Sequence, residues 1–139
     1  MNRYIFYSIL RYKHSIATGE SLNVGLIFSF PGTNELVFVE GDAERVEAIY
    51  PGVSLKLLDK TLSGIKKKSV KCKNAPKTQD SFMEYIAKNI LLEDSTSLQF
   101  SEIYTALDVL HDTENTIDQY TRILLPSMID KTLQEINEL

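Results

Sequence analysis

An apolar segment near the N-terminus, residues 3–12, alternates so that both of its faces carry large side chains. In an extended chain, Tyr4, Phe6 and Leu10 lie on one side and Ile5, Tyr7 and Ile9 on the other. A strand that is apolar on both faces belongs inside a sheet that is covered on each side. The segment therefore predicts a layered fold with this strand in the middle of the sheet.

Two more strands are predicted to follow it. Residues 22–30 have one wholly apolar face and one mixed face. The apolar face consists of Leu22, Val24, Leu26, Phe28 and Phe30. The mixed face consists of Asn23, Gly25, Ile27 and Ser29. Turn-forming residues then separate this strand from a third at 36–39. The first three strands are predicted to form an antiparallel meander.

The rest of the chain predicts helices and a later pair of strands. Helix caps are expected at Asp42 and Ser54, further helices over 80–92 and 113–125, strands around 98–100 and 103–107, and a last helix after Pro126. This order lacks the βαβ alternation of a parallel sheet. It predicts an α+β fold with an antiparallel sheet of about four or five strands and helices packed against it. We expect a single domain over residues 1–139, with a lysine-rich linker at about 66–78.

Composition and cysteine content bear on the class of protein and its compartment. A chain of 139 residues with 43% hydrophobic and 24% charged residues is ordinary for a globular domain. No apolar run approaches the roughly 20 residues that span a bilayer, and no cleavage site follows the N-terminal apolar segment. Cys72 is the single cysteine, so it forms no internal disulfide. We therefore expect a cytoplasmic protein with no membrane association.

Charge is distributed unevenly along the chain. Residues 1–78 carry 12 Lys and Arg against 7 Asp and Glu, whereas residues 79–139 carry 3 against 12. The basic excess is concentrated at Lys66, Lys67, Lys68, Lys71, Lys73 and Lys77. Such a run is a candidate nucleic-acid contact. It holds no arginine and no interleaved aromatic residue, which favours a solvated segment that also suits a helix C-terminus.

Catalytic and metal-binding patterns find little support in the sequence. His14 and His111 are the two histidines, and neither stands at ligand spacing from Cys72. Nucleotide-cradling glycine motifs and the hydrolase nucleophile motif are absent, so we expect no cofactor and no metal. An enzyme that uses Glu20 or Asp108 with a bound metal is kept as a weaker alternative.

A polar group lies in the first hairpin. Arg11 ends the first strand, Glu20 lies in the connecting loop, and Asn23 and Gly25 begin the second strand. Arg11 and Glu20 could pair across the hairpin, Asn23 could bond the loop backbone, and Gly25 permits a bulge or a close approach. Two interpretations stay open: a polar clamp that fixes the hairpin, and a notch that receives a ligand or partner segment.

The same hairpin carries a family resemblance. The segment from Tyr7 to Gly32 resembles the N-terminal signature of the bacterial domain-of-unknown-function family 3037, with matches at Tyr7, Ser8, Arg11, Tyr12, Gly19, Glu20, Asn23, Val24 and Gly25. Ser21 stands where the family usually has a larger residue. The later segments "SLQFSEIYTAL" and "DTENTIDQYTRIL" are similar to its second block, so the resemblance covers about residues 4–126.

The resemblance implies a small bacterial or phage cytoplasmic protein and brings no established reaction. It also implies a HipA-like kinase as a partner, in a toxin–antitoxin or defence setting, because some relatives are encoded near such kinases. The leading hypothesis is a non-enzymatic accessory module that binds another protein near Arg11, Glu20 and Asn23, or through the acidic C-terminal helices. The alternative is nucleic-acid binding or processing through the lysines of residues 66–77.

Overall fold

The computed structural model describes residues 4–14, 20–90, 97–107 and 112–125. The elements in chain order are β1 (Tyr4–Lys13), β2 (Ser21–Phe30), β3 (Glu35–Glu40), α1 (Ala43–Ile49), α2 (Leu55–Val70), α3 (Gln79–Tyr85) with a π-helical turn over Ile86–Ile90, β4 (Leu98–Phe100), β5 (Tyr104–Leu107) and α4 (Thr113–Leu124). The helix predicted after Pro126 lies outside the described residues.

The first strand, β1, lies inside a five-stranded antiparallel sheet. It pairs with β2 along one edge, and along its other edge with β4 and β5 in succession. Ser101 bridges the break between those two short strands: its N–H donates to the Ile9 carbonyl at 2.8 Å, and its hydroxyl accepts from the Ile9 N–H at 2.9 Å. The outer partner of β2 is β3. The predicted central strand, meander and α+β class are confirmed.

Helices cover both faces of this sheet. On the first face, Phe6 and Leu10 of β1 pack with buried side chains from α1, α2 and α3. On the second face, Ile5 and Ile9 join a smaller cluster that Leu125 and the α4 side chains close. Burying a large aliphatic or aromatic side chain stabilises a fold by about 1.5–3 kcal/mol. Because β1 contributes to both clusters, it couples the two layers.

Helix starts follow the predicted caps. The Asp42 carboxylate accepts the N–H of Glu44 at 3.0 Å, and the Ser54 hydroxyl accepts the N–H of Leu57 at 3.2 Å. Each satisfies one of the backbone donors that a helix N-terminus leaves unpaired. Thr78 caps α3 in the same way, and this helix begins at Gln79, one residue earlier than predicted.

A β-bulge divides β2. Leu10 lies opposite Gly25, whereas Arg11 lies opposite Asn23, so Val24 is an extra residue in β2. Before the bulge, Leu22 packs against the first cluster and Val24 belongs to it; after the bulge, the apolar residues of the second cluster are Leu26, Phe28 and Phe30. The prediction of one wholly apolar face over 22–30 is therefore wrong, because the extra residue reverses the alternation.

The predicted linker at 66–78 also needs correction in its bounds. Residues 66–70 form the last turns of α2, since its buried stripe continues through Ser69. The segment that follows is held against the sheet. Asn34, in a left-handed turn with φ 59°, donates to the Lys73 carbonyl at 3.0 Å and accepts the Ala75 N–H at 2.8 Å. The buried Ser29 hydroxyl donates to the Pro76 carbonyl.

Alanine substitutions at two glycines, Gly41 and Gly64, should change the stability of the fold in opposite directions. Gly41 donates its N–H to the Val24 carbonyl, and a Cβ at position 41 would lie 2.4 Å from that carbonyl oxygen. We expect Gly41→Ala to lower the free energy of unfolding by about 1–3 kcal/mol, because the β2 backbone has to shift. Gly64 lies within α2, and nothing stands within 4 Å of a Cβ there. Gly64→Ala should raise stability by up to about 1 kcal/mol.

Chemical denaturation of the two variants beside the wild type measures both effects. A Gly41→Ala variant as stable as the wild type would contradict the close contact between residue 41 and the bulge.

Candidate functional site

The sheet has an open edge where β2 begins. β3 pairs with β2 from Gly25 to Phe30, and the Gly41–Val24 hydrogen bond continues this contact by one step. The chain then turns away into α1. Residues 21–23 are consequently paired with β1 on one side, and no described strand pairs with them on the other. Unpaired backbone groups at a strand edge can bond another extended chain.

A groove runs beside this open edge. It is half open to solvent, has a volume of about 240 Å³, and is lined by Ser21, Leu22, Asn23, Asp42, Arg45, Val46 and Leu124. Three elements therefore form its walls: the start of β2, the first turn of α1 with its cap, and the end of α4. We call this surface, with the residues named here, the edge groove.

The polar groups of the edge groove have different roles. Asp42 is already engaged as the cap of α1. The Arg45 guanidinium is exposed, and the ion pairs among the described residues are Lys88 with Glu84 and Arg122 with Asp118. Arg45 is thus the charged group of the groove that is available to a partner. Its planar fork of donors suits a carboxylate or a row of backbone carbonyls.

Asn23 closes one end of the groove. Its side-chain Nδ2 donates to the Leu124 carbonyl at 3.0 Å, and Leu124 is the last residue of α4. That carbonyl is one of the acceptors that a helix C-terminus leaves without a partner. The expected bond from Asn23 to the hairpin loop is therefore replaced by a bond to α4. The bulge explains this, because it turns Asn23 toward the face that α4 covers.

Glu20 lies near the other end of α1 and does not form the predicted pair with Arg11 within the described residues. Glu20 accepts instead from the hydroxyl of Tyr50, the residue that ends α1. Burial first, and then the charge and hydrogen bond of Glu20, raise the pKa of Tyr50. His14 stacks on Tyr50 with ring centres 3.9 Å apart and planes 7° apart, and Tyr12 lies beside both rings.

Gly25 faces the first core cluster. A Cβ there would lie 2.6 Å from the ζ carbon of Phe38, so the Phe38 ring of β3 occupies the space that the glycine leaves. The space predicted at this glycine is therefore taken up by a core side chain. Of the four hairpin residues, the structure puts Asn23 in the edge groove, Glu20 beside Tyr50, Gly25 against the core, and Arg11 opposite Asn23 on β1.

The lysine run is spread around α2 and its end. Lys66, Lys67 and Lys68 are consecutive in a helix, so they point about 100° apart from one another. The Lys68 ammonium donates to the Ile90 carbonyl at 3.3 Å. Lys71 caps the helix, and Lys73 lies in the segment held by Asn34. All five side chains are exposed, but they do not share one face.

The described residues contain neither a cluster of metal ligands nor a membrane-spanning helix. Among them, no group of three or more His, Cys, Asp or Glu side chains could hold a metal ion. Asp108, a candidate of the metal-enzyme alternative, lies outside the described residues. Across those same residues, no helix combines the length and apolarity that a membrane crossing needs.

Sequence reasoning missed three residues of this region: Arg45, Tyr50 and the stacked His14. In the sequence, nothing distinguishes Arg45 from other charged residues on exposed helix faces. Its place in the groove depends on the packing of α1 beside the open strand edge. A usable signal existed for Tyr50, because an aromatic residue before Pro51-Gly52 at a helix end tends to pack on neighbouring structure. The His14–Tyr50 contact joins residues 36 positions apart and depends on the tertiary fold.

A protein-family model described as "Protein of unknown function (DUF3037)" matches residues 7–124. The chain belongs to this family. The match begins at Tyr7 within β1 and ends at Leu124, the last residue of α4, so the DUF3037 region contains the four described helices and the described sheet apart from the first three residues of β1. No curated protein and no solved structure matches the chain. The edge groove therefore lies within the family domain, on elements that the family model covers.

The Glu20–Tyr50 contact gives a measurable titration. The pKa of Tyr50 is raised above its usual value, and Glu20→Gln should lower it toward that value without restoring it fully, because burial remains. Tyrosinate absorbance measures this, with Tyr50→Phe identifying the transition and Glu35→Gln as a matched exposed control. A transition that Glu20→Gln leaves in place would contradict the contact.

The Asn23–Leu124 bond gives a stability test. We expect Asn23→Ala to lower the free energy of unfolding by about 0.5–1.5 kcal/mol, because the α4 carbonyl loses its partner. Gln99→Ala, at an exposed strand position, serves as the control. Thermal denaturation measures both. Equal stability of the two variants would show that Asn23 does not hold α4.

Proposed function

We propose that this DUF3037 protein is a non-enzymatic accessory module that binds a partner protein at the edge groove. The observation that carries the proposal is the open edge of β2 at residues 21–23, set between the first turn of α1 and the end of α4. A strand edge beside a groove offers a partner two kinds of contact. The backbone supplies hydrogen bonds, and the groove accepts side chains.

The size and lining of the edge groove favour an extended segment as the bound element. A volume of about 240 Å³ is below the ~300–1,000 Å³ of sites that enclose a drug-sized ligand. It suits one or two side chains. Leu22 and Val46 supply apolar surface, and the exposed Arg45 can fix a carboxylate or carbonyl of the segment. A partner strand added to β2 would place alternate side chains into the groove.

The Tyr50 contact extends this surface along α1. Tyr12, His14 and Tyr50 form an aromatic group beside the Glu20 carboxylate. Aromatic residues are enriched in protein interfaces, where they provide large contact area at low cost in side-chain entropy. The edge groove and this aromatic group lie at the two ends of the same short helix, so one partner could contact both.

The proposed setting is a bacterial or phage cytoplasm. The single cysteine supports a reducing compartment. A HipA-like kinase in a toxin–antitoxin or defence system is the partner that the family resemblance suggests.

The test is affinity purification of the tagged protein from its host, with nuclease treatment of half of each sample. We expect a partner protein to co-purify in stoichiometric amount and to remain after nuclease treatment. Arg45→Glu should abolish its recovery. Lys77→Glu, an equal charge change on an exposed residue after α2, is the control and should retain it. Glu20→Ala and Arg11→Ala then map the extent of the contact. Thermal denaturation of each variant confirms folding.

Two outcomes would refute the proposal. In the first, no protein survives nuclease. In the second, Arg45→Glu and Lys77→Glu reduce recovery equally, which would indicate that overall charge rather than the edge groove governs association.

A further inference from the structure

The solvent face of α2 carries a row of lysines that the linear sequence does not reveal. At about 100° per residue, four of its basic positions fall within roughly 60° of one another. These are Lys56, Lys60, Lys67 and Lys71. They lie opposite the buried stripe of the helix, which consists of Leu58, Leu62, Ile65 and Ser69. We call the four lysines the basic ridge. Two of them, Lys56 and Lys60, stand outside the lysine run of the sequence.

The charges of the basic ridge are available to a ligand. All four side chains are exposed, and the ion pairs among the described residues involve none of them. Asp59 is the single acidic residue of α2, and it too forms no ion pair in the described part of the chain. The ridge therefore has a positive field that no neighbouring carboxylate neutralises by contact.

Small residues stand near the centre of the basic ridge. Ser63 and Gly64 lie between Lys60 and Lys67, and open space surrounds the position that a Cβ of Gly64 would occupy. A ligand backbone can approach the helix closely at this point. With a rise of 1.5 Å per residue, the ridge extends about 22 Å from Lys56 to Lys71. One strand of a duplex places about six or seven phosphates along such a distance, at roughly 3.4 Å each.

We propose that the basic ridge of α2 binds the phosphate backbone of a nucleic acid, without reading its sequence. Lysine acts as a point charge toward phosphate, and neither arginine nor an aromatic ring lies on the ridge to recognise a base. This contact goes beyond the proposed protein partner, because the ridge and the edge groove share no residue. The module can therefore hold a protein and a nucleic acid at once.

An acidic protein is the competing occupant, and the composition of the ridge argues against it. Interfaces between proteins are depleted in lysine and are anchored by buried aromatic or arginine side chains. Two exposed apolar residues, Leu57 (64% exposed) and Val70 (78%), lie at the two margins of the ridge and not between its lysines. The net charge of −4 over the whole chain orients any polyanion toward the ridge, nucleic acid and acidic protein alike, so the choice between them rests on the composition of the ridge.

The experiment compares two variants of equal charge. In the ridge variant, Lys56, Lys60, Lys67 and Lys71 are replaced by glutamine; in the control variant, Lys66, Lys68, Lys73 and Lys77 are replaced. Fluorescence anisotropy is measured with labelled single-stranded DNA, duplex DNA and single-stranded RNA of one sequence. A polyglutamate peptide is the acidic-protein probe. Arg45→Glu is included, because it disables the edge groove and should leave the ridge unaffected.

We expect the wild type, the control variant and Arg45→Glu to bind at low salt, and the ridge variant to bind at least ten-fold more weakly. Four phosphate contacts predict that a fourfold rise in salt weakens binding roughly 50-fold for a single strand and roughly 150-fold for a duplex. The three labelled probes then identify whether DNA or RNA, single or double stranded, is preferred.

Three results would overturn the proposal. They are no binding of any nucleic-acid probe at low salt, equal loss in the ridge and control variants, and tighter binding of polyglutamate than of nucleic acid. Circular dichroism of both variants confirms that α2 is intact. Because Arg45→Glu tests the edge groove separately, failure of the ridge does not bear on the protein-binding proposal.

Discussion

Burial of β1 on both faces is the constraint on which the remaining structure depends. A strand with apolar side chains on each side needs strand partners along both edges and a cover over both faces. β2, β4 and β5 supply the edges, α1 to α3 cover one face, and α4 with Leu125 covers the other. Ser101 completes the arrangement, because it bonds β1 at the point where β4 has ended and β5 has not begun.

The bulge at Val24 determines which side chains at the start of β2 face the core and which face the groove. It reverses the alternation of β2, which sends Leu22 toward the helices of the first face and Asn23 toward the end of α4. The Gly41–Val24 hydrogen bond fixes the point at which β3 ends and the chain enters α1. The open strand edge, the cap of α1 and the end of α4 meet there. The edge groove is thus a consequence of one extra residue in one strand.

The two proposed surfaces depend on different physics and lie on different helices. The edge groove combines unpaired strand backbone with a small apolar recess and one available guanidinium, so its affinity should arise from hydrogen bonds and packing. The basic ridge presents four lysine charges and has apolar side chains only at its margins, so its affinity should fall steeply as salt rises. A DUF3037 domain with both could tether a protein partner to nucleic acid.

Local pattern was enough to predict most of the elements from the sequence. Alternation predicted β1 and its central place, capping residues predicted α1 and α2, and turn residues predicted the meander, because each of these signals acts over a few neighbouring residues. The sequence predicted Arg11 as the partner of Glu20 and the loop backbone as the partner of Asn23, whereas the structure has Tyr50 beside Glu20 and the Leu124 carbonyl bonded to Asn23. Those contacts join distant parts of the chain. Gly25 indicated that a bulge was possible, but the local pattern did not show that Val24 is the extra residue that redirects Asn23. The sequence determined which segments are strands and helices; only the tertiary structure decided which of their side chains meet, because a contact between distant segments depends on how the layers pack.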